Sequence, residues 1–226
     1  MVDTRGWLTE AQMVEVDRVM IEDLGIELIQ MMENAGRNLA QLAIDRYSPA
    51  RVAVCCGSGG NGGGGMVAAR HLANRGVAVE VVTTRAADEL RGVPAHQRRI
   101  LGAMGVPVVD AWSDVDLLLD AVIGYSLRGA PIGRSQALID AMNDEPAPVL
   151  SLDTPSGLDV TTGATPGSVV SADATLTLAA PKVGLADAGE VGALFVADIS
   201  VPPSVLTALG AAAPDFSAAP VVPISR

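Results

Sequence analysis

Three charged residues stand at or near the ends of apolar runs, where a charge needs a partner. Asp120 lies inside the run Leu117–Ile123, Asp153 closes a second run, and Lys182 follows a third. Burying a charge without a partner costs free energy, so we expect each of these residues to have a hydrogen-bond partner or an opposite charge nearby. Carboxylates and an amine gathered in one crevice can move protons or stabilise charge, which predicts a site. The ordinary alternatives are a helix cap for Asp120, a turn ordered by Asp153 and a solvated Lys182.

A glycine-rich segment, Gly57–Gly65, is the strongest single motif, with seven glycines in nine residues. It follows the apolar run Val52–Cys56 and precedes the helix-like stretch Met66–Ala73. Glycines let a backbone approach a ligand closely, and a helix N-terminus offers free N–H groups to an anion. The order strand, loop, helix therefore predicts a site for a phosphate-bearing small molecule. A flexible linker is the alternative.

Helix-like and apolar stretches alternate along the chain. Two N-terminal stretches, Thr9–Asp23 and Ile26–Tyr47, are expected to be helices, with Thr9 as an N-cap. The expected strands are Val52–Cys56, Val77–Thr83, Val106–Val109, Leu117–Ile123, Val149–Asp153, Ala174–Ala179 and Leu194–Ile199, and the intervening helices are Met66–Arg75, His96–Met104 and Gln136–Asn143. This alternation predicts a parallel, doubly wound α/β sheet with a ligand crevice at the carboxyl ends of its strands.

Length and charge narrow the class of protein. A chain of 226 residues suits one α/β domain, placed at 1–210, followed by an Ala- and Pro-rich tail, 211–226, that is expected to fray or to lie along a partner. A net charge of -11 disfavours binding to nucleic acid or to an anionic membrane. No apolar run reaches spanning length, which favours a soluble, cytoplasmic protein. The adjacent Cys55 and Cys56 should point to opposite faces of a strand as small core residues.

A dinucleotide-dependent dehydrogenase is the first alternative that the glycines suggest. The pattern Gly57-x-Gly59-x-x-Gly62 is weak by itself, because the full fingerprint also needs an acidic residue near the end of the second strand. That strand ends in Thr83-Thr84-Arg85, and Glu80 lies in its middle. Simple hydride transfer is therefore disfavoured.

Several short motifs occur in an order that is specific to one family. They are Met32–Gly36, Gly59–Gly65, Asp120–Gly124, Asp153–Asp159 and Lys182–Gly184. On these motifs the chain resembles the NAD(P)H-hydrate epimerase family, often called the YjeF N-terminal domain. The resemblance runs from about residue 9 to residue 203.

The resemblance implies a fold, a reaction and a set of site residues. The fold is a Rossmann-like three-layer α/β/α sandwich with a mostly parallel sheet, commonly in a homodimer. The reaction interconverts the C6 epimers of hydrated NADH and NADPH, a metabolite-repair step on a small dinucleotide-like substrate. The implied substrate contacts are Gly60, Asn61, Gly62, Gly63, Gly64, Gly124, Tyr125, Ser126, Leu127, Arg128, Gly129, Ala130 and Asp153.

A potassium ion is also implied by the resemblance, held by Asn61, Asp120 and Ser156. Their amide, carboxylate and hydroxyl oxygens are ligands that a hard cation prefers. Asp153 lies near the substrate and outside this ligand set, so it is the candidate catalytic acid or base. Lys182 is the second catalytic candidate, either stabilising charge or orienting Asp153.

The chain departs from the family pattern in both substrate segments. Gly60 and Gly64 stand where the family usually has Asn and Asp, and Tyr125 replaces a small residue. Gly64 is expected to leave its loop less ordered without ligand. These changes leave two alternatives open. One is an isomerase or cyclase of a different substrate, for example a secondary metabolite, and the other is a non-catalytic ligand-binding or scaffold relative.

A homodimer built partly from the N-terminal helices is a further expectation. Apolar residues recur along Ile26–Tyr47 at helical spacing, and Met20 and Ile21 add to them. Two neighbouring helices of this kind can leave an apolar stripe for a partner. The alternative is that both helices cover one edge of the sheet.

Overall fold

The computed structural model describes residues 2–226 and contains one eight-stranded sheet. Its strands are β1 Arg51–Cys56, β2 Ala78–Thr83, β3 Val108–Val109, β4 Leu117–Ala121, β5 Val149–Leu152, β6 Ala174–Leu178, β7 Ala193–Ala197 and β8 Val221–Pro223. The spatial order is β3-β2-β1-β4-β5-β6-β7-β8. All neighbours from β3 to β7 run parallel, and β8 is antiparallel to β7. The predicted doubly wound, mostly parallel sheet is confirmed.

Six α-helices accompany the sheet in the described part of the chain, residues 2–226. They are α1 Glu10–Arg18, α2 Leu28–Tyr47, α3 Gly60–Ala73, α4 Gly92–Ala103, α5 Gly133–Asp144 and α6 Pro203–Ala208. A π-helical turn, Val19–Asp23, continues α1. Thr9 caps α1 as predicted: its Oγ1 accepts from Gln12 N at 3.3 Å, and its own N–H donates to Gln12 Oε1 at 2.8 Å. None of the helices in residues 2–226 combines the length and hydropathy needed to cross a bilayer.

Helices cover both faces of the sheet, which gives the expected three layers. On β1, Val54 and Cys56 pack into the core shared with α1 to α4, whereas Ala53 and Cys55 pack into the core shared with α5. This alternation follows from the two-residue period of a strand. It also confirms that Cys55 and Cys56 are free, buried residues on opposite faces.

The glycine-rich segment is mostly helix, contrary to the expectation of a long loop. Only Gly57–Gly59 precede α3, which begins at Gly60. A Cβ on Gly65 would lie 2.5 Å from Ala121 Cβ, and one on Gly63 would lie 2.7 Å from Val93 Cγ1. The glycines therefore let α3 pack tightly against its neighbours. The expectation of a poorly ordered loop at Gly64 is wrong, because Gly64 is buried inside the helix.

The C-terminal tail pairs with the sheet, so the expectation that it frays or lies along a partner is wrong. Strand β8 aligns Val221 with Ala197 and Pro223 with Phe195 of β7. The Arg226 guanidinium donates to the backbone carbonyl of Ala188 at 2.8 Å. Strand β8 thus covers an edge of β7 that would otherwise expose unpaired backbone groups.

Candidate active site

A crevice of about 350 Å³ opens at the carboxyl ends of β1, β4 and β5. Strand order reverses between β1 and β4, and this reversal creates the gap between neighbouring loops. The backbone segments Gly57–Asn61 and Val122–Ser126 form its rim. Its apolar wall consists of Met13, Leu28, Met32, Leu178 and Ile199. The crevice lies where the strand pattern predicted it.

Asp153 lies directly after β5 and lines this crevice. Its backbone has a φ of 70°, a left-handed conformation that a non-glycine residue seldom adopts without tertiary support. Its Oδ1 accepts from Lys182 Nζ at 2.6 Å, and its Oδ2 accepts from the Tyr125 backbone N–H at 2.9 Å. The carboxylate is therefore held in one orientation from two sides.

Lys182 is buried and lies behind Asp153, away from the crevice lining. Besides Asp153, its Nζ donates to Thr177 Oγ1 at 3.0 Å and to Leu178 O at 2.7 Å, so all three ammonium protons have acceptors. Leu8 holds the backbone next to Lys182, because the Leu8 N–H donates to Pro181 O at 2.9 Å. This geometry supports an orienting position for Lys182 rather than direct contact with a substrate.

Asp17 is a site residue that the sequence reasoning missed. It lies on α1, lines the crevice, and accepts from Tyr125 Oη at 2.5 Å. Burial raises the pKa of the Asp17 carboxyl, and the Tyr125 hydrogen bond opposes that rise. Burial also raises the pKa of Tyr125, with the Asp17 charge adding to it. The available signal was helical spacing, since Asp17 stands four residues after Met13 on the edge of the buried face.

Asp120 is fully buried in β4, and protein groups compensate its charge. Its Oδ1 accepts from Ser156 Oγ at 2.5 Å and from Val122 N at 3.2 Å. Its Oδ2 accepts from Ser151 Oγ and from Ser156 N, both at 2.8 Å. Burial raises the pKa of this carboxyl, and these hydrogen bonds oppose the effect. Asp120 and Ser156, two of the three expected cation ligands, are therefore hydrogen-bonded directly to each other.

Asn61, the third expected cation ligand, has an open oxygen. Its Nδ2 donates to Leu152 O at 3.2 Å, whereas its Oδ1 is buried and has no hydrogen-bond partner among residues 2–226. No cluster of three or more His, Cys, Asp or Glu side chains suited to a metal occurs within residues 2–226. The available donors are amide, hydroxyl and carboxylate oxygens, which fit an alkali cation better than zinc.

Only part of the expected substrate-contacting set lines the crevice. Gly60, Asn61, Gly124, Tyr125, Ser126 and Asp153 do so. Gly62, Gly63, Gly64, Leu127, Arg128, Gly129 and Ala130 lie outside the lining. The three glycines are inside α3, and Arg128 forms an ion pair with Glu10. Thr84 and Ser135 are polar lining residues that the motifs did not indicate.

Comparison with known proteins identifies the family of this chain. The family model described as "YjeF-related protein N-terminus" matches residues 28–184. The chain belongs to this family. A protein of Dehalogenimonas lykanthroporepellens named NAD(P)H-hydrate epimerase is 46% identical over 211 residues, which cover 90% of this chain and 85% of that protein.

Two further relatives extend the comparison. A protein of Hyperthermus butylicus named bifunctional NAD(P)H-hydrate repair enzyme Nnr is 41% identical over 194 residues, and the match covers 80% of this chain but 36% of that longer protein. The crystal structure of yeast ynu0 superposes with a TM-score of 0.85 at 21% identity, covering 96% of this chain and 99% of the yeast chain. At that identity the likeness concerns the fold, and it supports the Rossmann-like layout.

Proposed function

We propose that this protein is an NAD(P)H-hydrate epimerase, an isomerase that interconverts the C6 epimers of hydrated NADH and NADPH. Family membership and the names of the relatives support the reaction. The observation that carries the proposal is Asp153, an oriented carboxylate in a crevice at the strand-order reversal. The substrate is a small dinucleotide, and the reaction leaves its oxidation state unchanged.

Epimerisation at C6 needs an acid for the leaving hydroxyl and a counter-charge for the ring. In the proposed reaction the C6–O bond breaks, its electron pair leaves with the oxygen, and an added proton turns that oxygen into water. The ring nitrogen lone pair then forms an iminium with C6, and water returns to either face. The Asp153 carboxylate is suited to stabilise the cationic ring and to accept the proton of the incoming water.

Asp17 is suited to supply the proton, and Tyr125 orients it through a hydrogen bond. Both line the crevice, and the raised pKa of Asp17 favours its protonated form at higher pH than an exposed carboxyl allows. Two carboxylates in one crevice with different partners can divide the acid and base roles between them. Asp17 has a tyrosine partner, whereas Asp153 has an ammonium partner.

A potassium ion held by Asn61, Asp120 and Ser156 is part of the proposal. The partnerless Asn61 Oδ1 supports it, because a buried amide oxygen without a donor is costly. Such an ion would supply fixed positive charge beside the rim of the crevice. Melting curves in potassium, sodium and N-methylglucamine chlorides at equal ionic strength test the ion. We expect stabilisation by potassium and its loss in Asn61→Ala, and identical curves would contradict the site.

The decisive experiment is direct observation of C6 epimer exchange. One purified epimer of hydrated NADPH or NADH is mixed with the protein, and the second epimer is followed by chromatography. Exchange faster than the uncatalysed reaction supports the proposal. Because Tyr125 brings a large ring into the crevice, an isomerase or cyclase of another substrate is the second candidate. Absence of exchange from well-folded protein would favour that candidate or a binding module.

A cytoplasmic homodimer completes the proposal. Much of the expected apolar stripe, including Met20, Met32 and Leu39, is buried in the protein's own core. Exposed apolar side chains remain at Val14, Ile21 and Leu24, and these support a contact through α1 and the turn after it. Light scattering at micromolar concentration tests the dimer, and a monomer mass would reject it.

A further inference from the structure

A second depression, of about 380 Å³, lies beside the active-site crevice at the ends of β2 and β3. Three guanidinium groups line it: Arg85 follows β2, Arg98 is on α4, and Arg134 is on α5. We call it the arginine depression. Thr84 lines both this depression and the crevice, and Ser135 of the crevice directly follows Arg134. The two sites are therefore adjacent and joined.

The arginine depression is lined by three positively charged side chains, whereas the whole molecule carries a net charge of -11. Within residues 2–226, neither Arg98 nor Arg134 has a carboxylate within 4.0 Å. Arg85 lies 3.6 Å from Glu89, and both side chains are exposed, so that pairing is weak. Asp110 also lines the depression, and its backbone carbonyl accepts from Arg134, which fixes that guanidinium.

When a dinucleotide binds across a parallel sheet, the residues at the end of the second strand contact the ribose of its adenosine half. One half of the ligand lies on each side of the strand-order reversal, and the ribose of the adenosine half reaches the end of the second strand. An acidic residue there binds the ribose 2′-hydroxyl, whereas an arginine accommodates a 2′-phosphate. Glu80 does not serve the first purpose, because it lies mid-strand and both its oxygens accept from Ser113.

We propose that Arg85, Arg98 and Arg134 bind the 2′-phosphate of the dinucleotide, so that the protein prefers hydrated NADPH over hydrated NADH. This inference rests on the proposed function. With the hydrated ring beside Asp153 after β5, the adenosine half extends past β1 toward β2. The guanidinium group of an arginine can donate two parallel hydrogen bonds to two oxygens of one phosphate. It is therefore more selective for phosphate than unspecific positive charge is.

Kinetics with the two hydrates test the preference. We expect kcat/KM for hydrated NADPH to exceed that for hydrated NADH by about 10- to 100-fold, as charge-assisted hydrogen bonds to one phosphate would give. Arg85→Ala and Arg134→Ala should lower kcat/KM for hydrated NADPH alone. Both residues are exposed, so these variants should fold. Arg98 is half-buried, and Arg98→Lys keeps its charge while removing the fork.

Arg99→Ala is the matched control, because Arg99 is an exposed arginine on α4 that lies outside the depression. It should leave the ratio of the two kcat/KM values unchanged. Equal kcat/KM values for both hydrates in the wild type would overturn the proposal. So would arginine variants that lose the same factor with each hydrate, since that result indicates a general electrostatic effect.

Calorimetry separates this inference from the proposed function. The probes are 2′-phospho-ADP-ribose and ADP-ribose, which contain no reactive ring. Tighter binding of the phosphorylated probe, lost in Arg134→Ala, supports the arginine depression as a phosphate site even if neither hydrate is epimerised. Epimerisation of both hydrates, with equal binding of the two probes, would support the reaction and overturn the phosphate site.

Discussion

At the scale of single residues, the crevice contains a buried ion pair, Asp153–Lys182, in which the backbone of Asp153 is strained. Asp153 adopts a left-handed backbone conformation, and its carboxylate faces a fully buried ammonium. Removing one member of such a pair leaves the other charge without compensation, whereas replacing both can be nearly neutral for stability. A substitution of Asp153 is therefore expected to change both turnover and the free energy of unfolding. Two variants are needed to separate the two effects.

The first prediction separates these effects with Asp153→Asn. We expect turnover to fall by about 10²–10⁴-fold, because the amide cannot carry the proton or the negative charge. We also expect the free energy of unfolding to fall by about 3–5 kcal/mol, because Lys182 stays buried and unpaired. Adding Lys182→Met should restore much of the stability but none of the turnover. Chemical denaturation and the epimer-exchange assay measure both, and restored turnover in the double variant would exclude Asp153 from the chemistry.

The second prediction concerns Asp17, whose pKa is raised by burial. The folded protein therefore holds this proton to higher pH than the unfolded chain does. Its stabilising contribution is complete below the unfolded pKa, about 3.9, and is lost as pH rises through the folded pKa. Asparagine does not ionise, so the Asp17→Asn variant does not lose this stability as pH rises. We therefore expect the variant to have a higher melting temperature than the wild type at neutral pH.

The advantage of Asp17→Asn should shrink toward acid pH, and its turnover should be lower throughout. Asp140→Asn, at an exposed position on α5, is the control and should track the wild type. Melting curves from pH 4 to pH 8 decide the matter. A constant offset between Asp17→Asn and the wild type would contradict the assignment of the titration to Asp17.

At the scale of elements, the packing of α2 on α3 depends on glycine. A Cβ on Gly36 would lie 2.5 Å from Val67 Cβ, and it would also meet the Gly64 backbone carbonyl. Both helices form one wall of the crevice through Met32 and Gly60. The separation of these helices therefore sets the width of the site.

The third prediction is that Gly36→Ala destabilises the protein by about 1–3 kcal/mol, because the added methyl group forces the two helices apart. Gly102→Ala is the matched control. Gly102 is an exposed helical position on α4, where alanine is the better helix former and should be neutral or slightly stabilising. Urea denaturation of both variants measures the difference. Equal effects would show that helix propensity, and not packing, governs Gly36.

The elements were largely predictable from the sequence, whereas their long-range contacts were not. Apolar runs separated by helical stretches predicted the parallel sheet, because hydrophobic period is a local property. The segment Gly57–Gly65 was misjudged because glycine composition is typical of loops, and only contact with β4 and α2 explains a helix there. Asp17 was missed because its partner, Tyr125, is 108 residues away.

At the scale of the whole molecule, the C-terminal segment extends the sheet by one strand, β8, which pairs with β7. Strand β8 was not predicted because its short apolar sequence lies in a Pro-rich context, and only pairing with β7 makes it a strand. Arg226 further ties the end of the chain to carbonyls of the loop before β7. The segment after Gly210 is therefore part of the folded domain's structure.

The fourth prediction follows from the pairing of β8 with β7. Deleting residues 211–226 should lower the melting temperature and promote aggregation, because it uncovers the edge of β7. Arg226→Ala is the milder variant, and it should lower the melting temperature without aggregation because β8 remains. Differential scanning fluorimetry and light scattering measure these effects. A truncated protein that melts like the wild type and stays dispersed would show that β8 contributes little.

The backbone contact between Leu8 and Lys182 has a consequence for the order in which the protein matures during translation. The Leu8 carbonyl accepts from Val183 N at 2.9 Å, and the Leu8 N–H donates to Pro181. The two partners of this contact lie far apart in the sequence, and Leu8 is synthesised long before Lys182. A nascent chain therefore cannot form the Asp153–Lys182 pair until Lys182 has left the ribosome, by which time Leu8 has already emerged. The buried ion pair beside the crevice is therefore completed only after strands β1 to β6 have been synthesised.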